Sequence, residues 1–190
     1  MCKGGMGVYS YRKRFFYPIH VERSDPAFAK QLSEHFGGKE GELTQIIQYL
    51  NHQVNMGHRF LRELFGLIAA EELAHLETIA AVITKLGGDP ILYTNAKGEA
   101  WNIRYLNQST EPLQILKADI ELEVRSRILY EKHIELTNDP GVKQLLAFLA
   151  RREGIHQSLL NRSRKILGGK SQEQFTEIIY DYKMSLQVLE

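Results

Sequence analysis

The chain has 190 residues, 43% hydrophobic and 25% charged, with a formal net charge of +1. That suits one soluble domain with room for a real core, and gives no field to hold nucleic acid or an anionic membrane. Its single cysteine, Cys2, excludes an internal disulfide and a cysteine-based zinc site. No apolar run resembles a signal peptide or reaches membrane-spanning length, so a cytoplasmic location is expected.

Residues 1–24 are predicted to form an extended N-terminal arm rich in Tyr, Phe and Arg, with Arg12-Lys13-Arg14 a solvated basic run. Residues 25–190 are predicted to form the globular part. Asp25-Pro26 opens a short helix that ends by Gly37-Gly38, with Asp as cap and Pro in the first turn. A helix over about 40–55 follows, with Ile46, Ile47, Leu50 and Val54 as its apolar side. The next runs from about Arg59 to Leu86 and stops at Gly87-Gly88. Residues 89–111 lack helical periodicity and read as a long crossover, with a small hairpin near Asn95 to Gly98. A helix over about 112–137 is joined by the short turn Asn138 to Gly141 to an antiparallel neighbour. That neighbour is capped by Asp139 and ends at Gly168-Gly169. Ser171 to Gln174 has the S-x-x-Q pattern of a capping box for a last helix reaching about Leu189. Two helical hairpins joined by one long crossover predict an all-α four-helix bundle with extra short helices.

Within the second long helix, Leu61, Phe65, Ile68, Glu72, His75, Ile79, Val82 and Leu86 form one helical stripe. Two ionisable residues therefore lie on a face otherwise built for a core. The same anomaly recurs 81 residues later, where Glu153 and His156 lie on the stripe Val142, Leu146, Leu149, Leu160 and Leu167. Glu42 and Glu123 share this offset, as do Tyr49 and Tyr130 and the terminal Leu86-Gly87-Gly88 and Leu167-Gly168-Gly169. A lone E-x-x-H would be an ordinary surface ion pair; several positions repeating at one offset on matching faces point to a built site.

Residues three apart on a helix share a side, so each Glu-x-x-His aims a carboxylate and an imidazole at one point. Four bare carboxylates cannot be buried together, since each would cost several kcal/mol or protonate. Two divalent cations would balance four Glu and leave two neutral His to complete the shells. One Glu from each of two helices plus Glu-x-x-His from each of the other two is the worked dimetal pattern of ferritin-like bundles. The predicted metal ligands are thus Glu42, Glu72, His75, Glu123, Glu153 and His156. Such donors suit manganese or iron alike. Tyr49 and Tyr130 lie two turns beyond their Glu, within reach of a metal-bound carboxylate or as plain core tyrosines. Glu71, Glu77 and Glu121 are expected to be solvated, and Glu135 outside the site. His20, His35, His52, His58 and His133 are expected to be surface or satisfied residues.

The segments GELTQIIQYLN, AAEELAHLETIA and NDPGVKQLLAFLARREGIHQ together resemble the manganese catalases, over about Gly41 to Gln157. The length resembles the shorter branch, which includes the spore-coat manganese-catalase-like proteins. The resemblance implies a ferritin-like fold and a dimanganese site that disproportionates hydrogen peroxide by cycling between the 2+/2+ and 3+/3+ states. It implies Glu42, Glu72, His75, Glu123 and His156 as ligands, with Glu72 bridging the two ions. Glu153 would then be a catalytic proton-transfer group, or a metal ligand as in rubrerythrin-like di-iron proteins. Tyr49 would be its catalytic companion as a hydrogen-bonding partner. Where some members carry an Arg before the third Glu, this chain has Leu122; Arg125, Arg127 and Arg152 are the candidate substitutes. The resemblance also implies a homo-oligomer, a hexamer, with the arm as a subunit contact, and a location in the cytoplasm or spore coat beside other coat proteins. The alternatives are a rubrerythrin-like di-iron peroxidase, which lacks the Cys cluster to deliver electrons, a structural coat protein with weak activity, and a ferritin-like iron store.

Overall fold

A computed structural model describes residues 17–187 of the chain. Most of the expected arm, with Cys2 and Arg12-Lys13-Arg14, lies outside the described residues. Six α-helices lie within them: α1 (Pro26–Gly37), α2 (Glu42–Asn55), α3 (Arg59–Lys85), α4 (Pro112–Leu136), α5 (Pro140–Leu167) and α6 (Phe175–Gln187). Helix α2 packs along α3 and α4 along α5, each pair joined by a short turn, as antiparallel hairpins. Helix α1 lies against α3, α2 and α4, while α6 lies against α5 and α3.

The caps explain where the long helices begin and end. Asp139 accepts from Val142 N at 3.0 Å and from Glu22 N at 2.7 Å, closing α5 and fastening the incoming chain to it. Helix α3 ends in a Schellman turn with Gly87 at φ +80°, where Gly88 N donates to Ile83 O at 2.9 Å. Helix α5 ends likewise, with Gly169 at φ +67° and Lys170 N donating to Lys165 O at 2.8 Å. The left-handed residue falls one position later than the repeat places it. At the start of α2 a Cβ on Gly41 would lie 2.7 Å from Glu34 O, so its lack of a side chain lets α1 end against the turn that presents Glu42.

Among the described residues the crossover between the hairpins holds one isolated antiparallel bridge, Thr94 with Ala100, and a 3-10 turn, Ile103–Tyr105. It is strapped to α2 by Trp101 Nε1 donating to Thr44 Oγ1 at 2.9 Å and Asn107 N donating to Gln48 Oε1 at 2.8 Å.

The apolar interior has two layers. One gathers Phe28, Ile79, Val82, Leu146 and Leu149; the other gathers Leu61, Phe65, Ile68, Ile115, Leu116 and Leu160. Between Ile68 and Ile79 on α3, and between Leu149 and Leu160 on α5, lie the two Glu-x-x-His segments. The polar site is a slab between two apolar ones.

Two expectations need correction. Of the apolar side expected for α2, Ile46 is buried and Ile47 half-buried, but Leu50 is 45% exposed and Val54 78% exposed, while Glu42, Gln45, Gln48, Tyr49 and His52 are buried. Polar partners across the bundle, described below, decide the orientation of this helix. Ser171 to Gln174 forms no capping box, because α6 starts only at Phe175. Instead Ser171 Oγ accepts from Glu173 N at 3.2 Å, and the Gln174 side chain donates to Gln172 O.

Replacing Asp139 with Ala removes a helix cap and the tether to Glu22, and should cost about 1–2 kcal/mol. Urea unfolding should show a lower midpoint at unchanged slope; an unmoved midpoint would contradict the capping role.

Candidate metal centre

The six predicted ligands all meet in the slab between the apolar layers. Glu42, Glu72, Glu123, Glu153 and His156 are fully buried, and His75 is 1% exposed. Two sets of side-chain atoms converge so that each set could hold a metal ion: Glu42, Glu72, His75 and Glu153, and Glu72, Glu123, Glu153 and His156. Glu72 and Glu153 belong to both sets, so these two carboxylates lie between the paired positions.

The donor atoms face one another. His75 Nδ1 is 2.6 Å from Glu72 Oε2, 3.6 Å from Glu153 Oε1 and 3.9 Å from Glu42 Oε2. His156 Nδ1 is 2.8 Å from Glu72 Oε1 and 3.6 Å from Glu123 Oε1. Yet Glu72 Oε1, Glu153 Oε1, Glu123 Oε2 and His156 Nδ1 have no hydrogen-bond partner in suitable geometry. Orphaned carboxylate oxygens and an imidazole nitrogen, all buried and aimed inward, fit divalent cations with oxygen and nitrogen donors.

The outer hydrogen bonds cross between the halves reciprocally. Tyr49 OH donates to Glu123 Oε1, and Tyr130 OH donates to Glu42 Oε1. Each tyrosine thus serves the carboxylate of the other hairpin, as a near two-fold relation requires. Burial and then the adjacent carboxylates push both phenols well above their ordinary range, so they remain donors. On the axis between the halves, Gln45 Nε2 donates to Ser126 Oγ at 3.1 Å, Glu153 Oε2 at 3.2 Å and Glu42 Oε2 at 3.3 Å.

Glu71 is not solvated, as expected from its spacing, but 3% exposed and paired with Arg152. Arg152 Nε donates to Glu71 Oε1 at 2.5 Å and Nη2 to Oε2 at 3.1 Å. Of the three candidate arginines, only Arg152 reaches the interior near the site; Arg125 pairs with Glu40 at 3.3 Å and Arg127 with Glu131 at 3.7 Å. Glu121 and Glu135 are exposed, and Glu77 is half-buried.

Among the histidines set aside, His20 is exposed and His58 half-buried. The other three are interior: His52 Nδ1 lies 2.8 Å from Asp119 Oδ1, and His35 Nε2 lies 2.8 Å from His133 Nδ1. The His35 ring stacks on Tyr130 at 3.9 Å between centroids. A signal for most of these was present, because His52 and His133, Gln45 and Ser126, and Glu71 and Arg152 are each 81 residues apart. The last two pairs join equivalent positions directly. Asp119 and His35 have no ionisable counterpart at that offset, and periodicity could not have found them.

The family profile described as manganese containing catalase matches residues 8–91 and 87–181. The chain belongs to the manganese catalase family. Protein CotJC of Bacillus subtilis is 30% identical over 180 residues, spanning 84% of this chain and 95% of that protein. A probable manganese catalase of Clostridium acetobutylicum is 29% identical, spanning 76% and 73% of the two chains. The structure of KatB, a manganese catalase from Anabaena, superimposes with a TM-score of 0.80 at 27% identity, covering 88% of this chain and 84% of that one. A bacterioferritin from Desulfovibrio desulfuricans, at 19% identity and a TM-score of 0.64, shares the fold. The manganese catalase family thus comes with the ferritin-like bundle that the helix pattern implied.

Electrostatics make metal binding a proton exchange. Burial first, and then the neighbouring carboxylates Glu72 and Glu153, push Glu42 well above the usual carboxylate range. Burial and then Glu153 do the same to Glu123. For Glu72, burial works upward, but His75 and His156 outweigh it and hold this carboxyl down at about 2. Burial likewise opposes charge on the two imidazoles, and the carboxylates beside them, Glu72 for His75 and Glu71 for His156, raise both well above the ordinary histidine range. Without cations, protons on these groups neutralise the slab; cations must displace them. Metal affinity should therefore rise with pH across the neutral range. Calorimetry in buffers of different ionisation enthalpy should register at least about one proton released per chain; a buffer-independent heat would refute this.

Proposed function

We propose that the chain is a catalase that disproportionates hydrogen peroxide to water and dioxygen at two manganese ions held by Glu42, Glu72, His75, Glu123 and His156, with Glu153 beside them as the proton-transfer group. The observation carrying this reading is the pair of buried donor sets that share Glu72 and Glu153, in a chain of the manganese catalase family. The manganese pair supplies the two-electron redox chemistry: one peroxide is reduced to two waters, and a second is oxidised to dioxygen with loss of two protons and two electrons.

The protein's own work is to hold, to orient and to move protons. Glu72, with one oxygen toward each imidazole, would be the carboxylate that bridges the two ions. Tyr49 and Tyr130 each hold Oε1 of Glu123 and Glu42 respectively, which fixes how the two carboxylates are turned toward the site. Glu153 has one oxygen tied to Gln45 and the other without a hydrogen-bond partner. In this reading that free oxygen takes the peroxide proton. Apolar layers on both sides keep bulk water out, which strengthens each charge interaction inside. Oxygen and imidazole donors also accept iron; the family favours manganese.

A homo-oligomer belongs to the same reading, and the exposed Leu50 and Val54 of α2 support it. No helix among the described residues is long and apolar enough to cross a membrane. A cytoplasmic or spore-coat location is proposed on the resemblance. A second reading, a coat protein that keeps fold and metal but turns over slowly, is supported by the likeness to CotJC across 95% of that protein.

Protein loaded with manganese should evolve oxygen from peroxide; full loading with no oxygen would leave the coat reading. Glu72→Ala should lose both ions together, and metal analysis showing a full complement would remove the bridge. Glu153→Gln keeps the shape but not the basicity. It should retain manganese while turnover falls roughly 10²–10⁴-fold. Metal lost in proportion to activity would instead make Glu153 a ligand.

A further inference from the structure

The Glu71–Arg152 pair is not accounted for by charge balance at the site. Four carboxylates are already matched to two cations, and Glu71 and Arg152 cancel each other. What the pair does is geometric. Glu71 Oε2, held by Arg152 Nη2, is 3.0 Å from His156 Nε2, the ring nitrogen turned away from the donor set. Its other oxygen is 3.6 Å from Nε2 of His75. One carboxylate therefore faces the outward nitrogens of both imidazoles.

The guanidinium is itself gripped by α6. Arg152 Nη1 donates to Ser185 O and Nη2 to Ser185 Oγ, both at 3.1 Å. One turn earlier Tyr182 stacks on His156, with centroids 6.4 Å apart, and its hydroxyl donates to Leu67 O of α3 at 3.0 Å. The last helix thus closes over the back of His156 and holds the group that addresses it.

Resting on the dimetal reading above, we infer that Glu71, locked by Arg152 and through it by α6, is a positioning residue. It keeps the proton of His156 on Nε2, so that Nδ1 presents its lone pair to the metal. A carboxylate behind a ligating imidazole fixes tautomer and ring angle and makes the ligand more basic. Because positions 71 and 152 are equivalent in the repeat, only one half can supply the carboxylate. The other supplies its counterion, and the two imidazoles are held unequally.

The test uses the full chain loaded with zinc, a diamagnetic probe, with nitrogen-15 NMR of the histidine rings and chelator competition for affinity. In the wild type His156 should carry its proton on Nε2, with a deshielded proton signal from the bond to the carboxylate. Glu71→Gln should move that signal upfield and weaken zinc binding about 10–100-fold. The double variant Glu71→Gln, Arg152→Met leaves no unpaired charge, so it keeps a folded reading where the single change does not. It should show the same two losses. If the pair merely ties α5 to α3 and α6, the double variant will lower the melting temperature while affinity and the His156 signal stay as in the wild type, and the inference fails. Wild-type protein that binds no zinc would instead overturn the dimetal reading, and this inference with it.

Discussion

Burying four carboxylates and two imidazoles in one slab of a helical bundle is the constraint on which the rest of the structure turns. Each uncompensated buried ion costs several kcal/mol, against a total stability of roughly 5–15 kcal/mol for a domain. No arrangement of apolar contacts offsets four of them. The fold surrounds the problem instead of removing it. Apolar layers above and below, led by Ile79 and Leu149 on one side and Phe65 and Leu160 on the other, supply the cohesion. The slab between is neutralised by whatever cations or protons it holds. Helix α2 shows how far this goes, since Leu50 and Val54 face outward while Glu42, Gln45 and Tyr49 are buried.

The second organising fact is the two-fold relation between hairpins and where it is broken. Tyr49 and Tyr130 act reciprocally, each on the other half's carboxylate. That wiring holds the two hairpins together through the site itself, so Glu42 and Glu123 are each oriented by the hairpin opposite. At the axis, equivalent residues meet. Two identical charges cannot meet there, and the chain resolves this with different partners: Gln45 with Ser126, and Glu71 with Arg152. The symmetric groups are those a pair of like ions needs, and the asymmetric ones lie where the halves touch. The repeated inward residues and the unrepeated ones that support them are thus distinct sets.

This separation explains what was legible in the amino-acid sequence. The stripe Leu61 to Leu86, its counterpart on α5 and the glycine stops give the long helices, because core periodicity and left-handed caps are local signals. The six inward residues were legible because they repeat on those stripes. Glu71 was misread because one residue off the stripe normally means solvent, and only the approach of Arg152 from another helix makes that position interior. The face of α2 was misread for a related reason, since hydrophobicity is a poor guide where the buried partners are polar. Asp119 and His35, with no counterpart in the other half, left no trace in the repeat.

The asymmetry also bears on how two ions held in this site would be made unequal. Glu72 and Glu153 belong to both donor sets, so they would not by themselves distinguish two ions held there. The hydrogen bonds behind them would. His156 has a carboxylate at 3.0 Å behind its ring, whereas the same carboxylate lies 3.6 Å behind His75. Beside Tyr130 lies the pair His35–His133, both held below the ordinary histidine range first by burial, while beside Tyr49 lies the carboxylate Asp119, whose field is among those raising that phenol. Two ions bound by matching residues would therefore sit in different fields. The repeat builds the pair, and the residues that break the repeat distinguish its members.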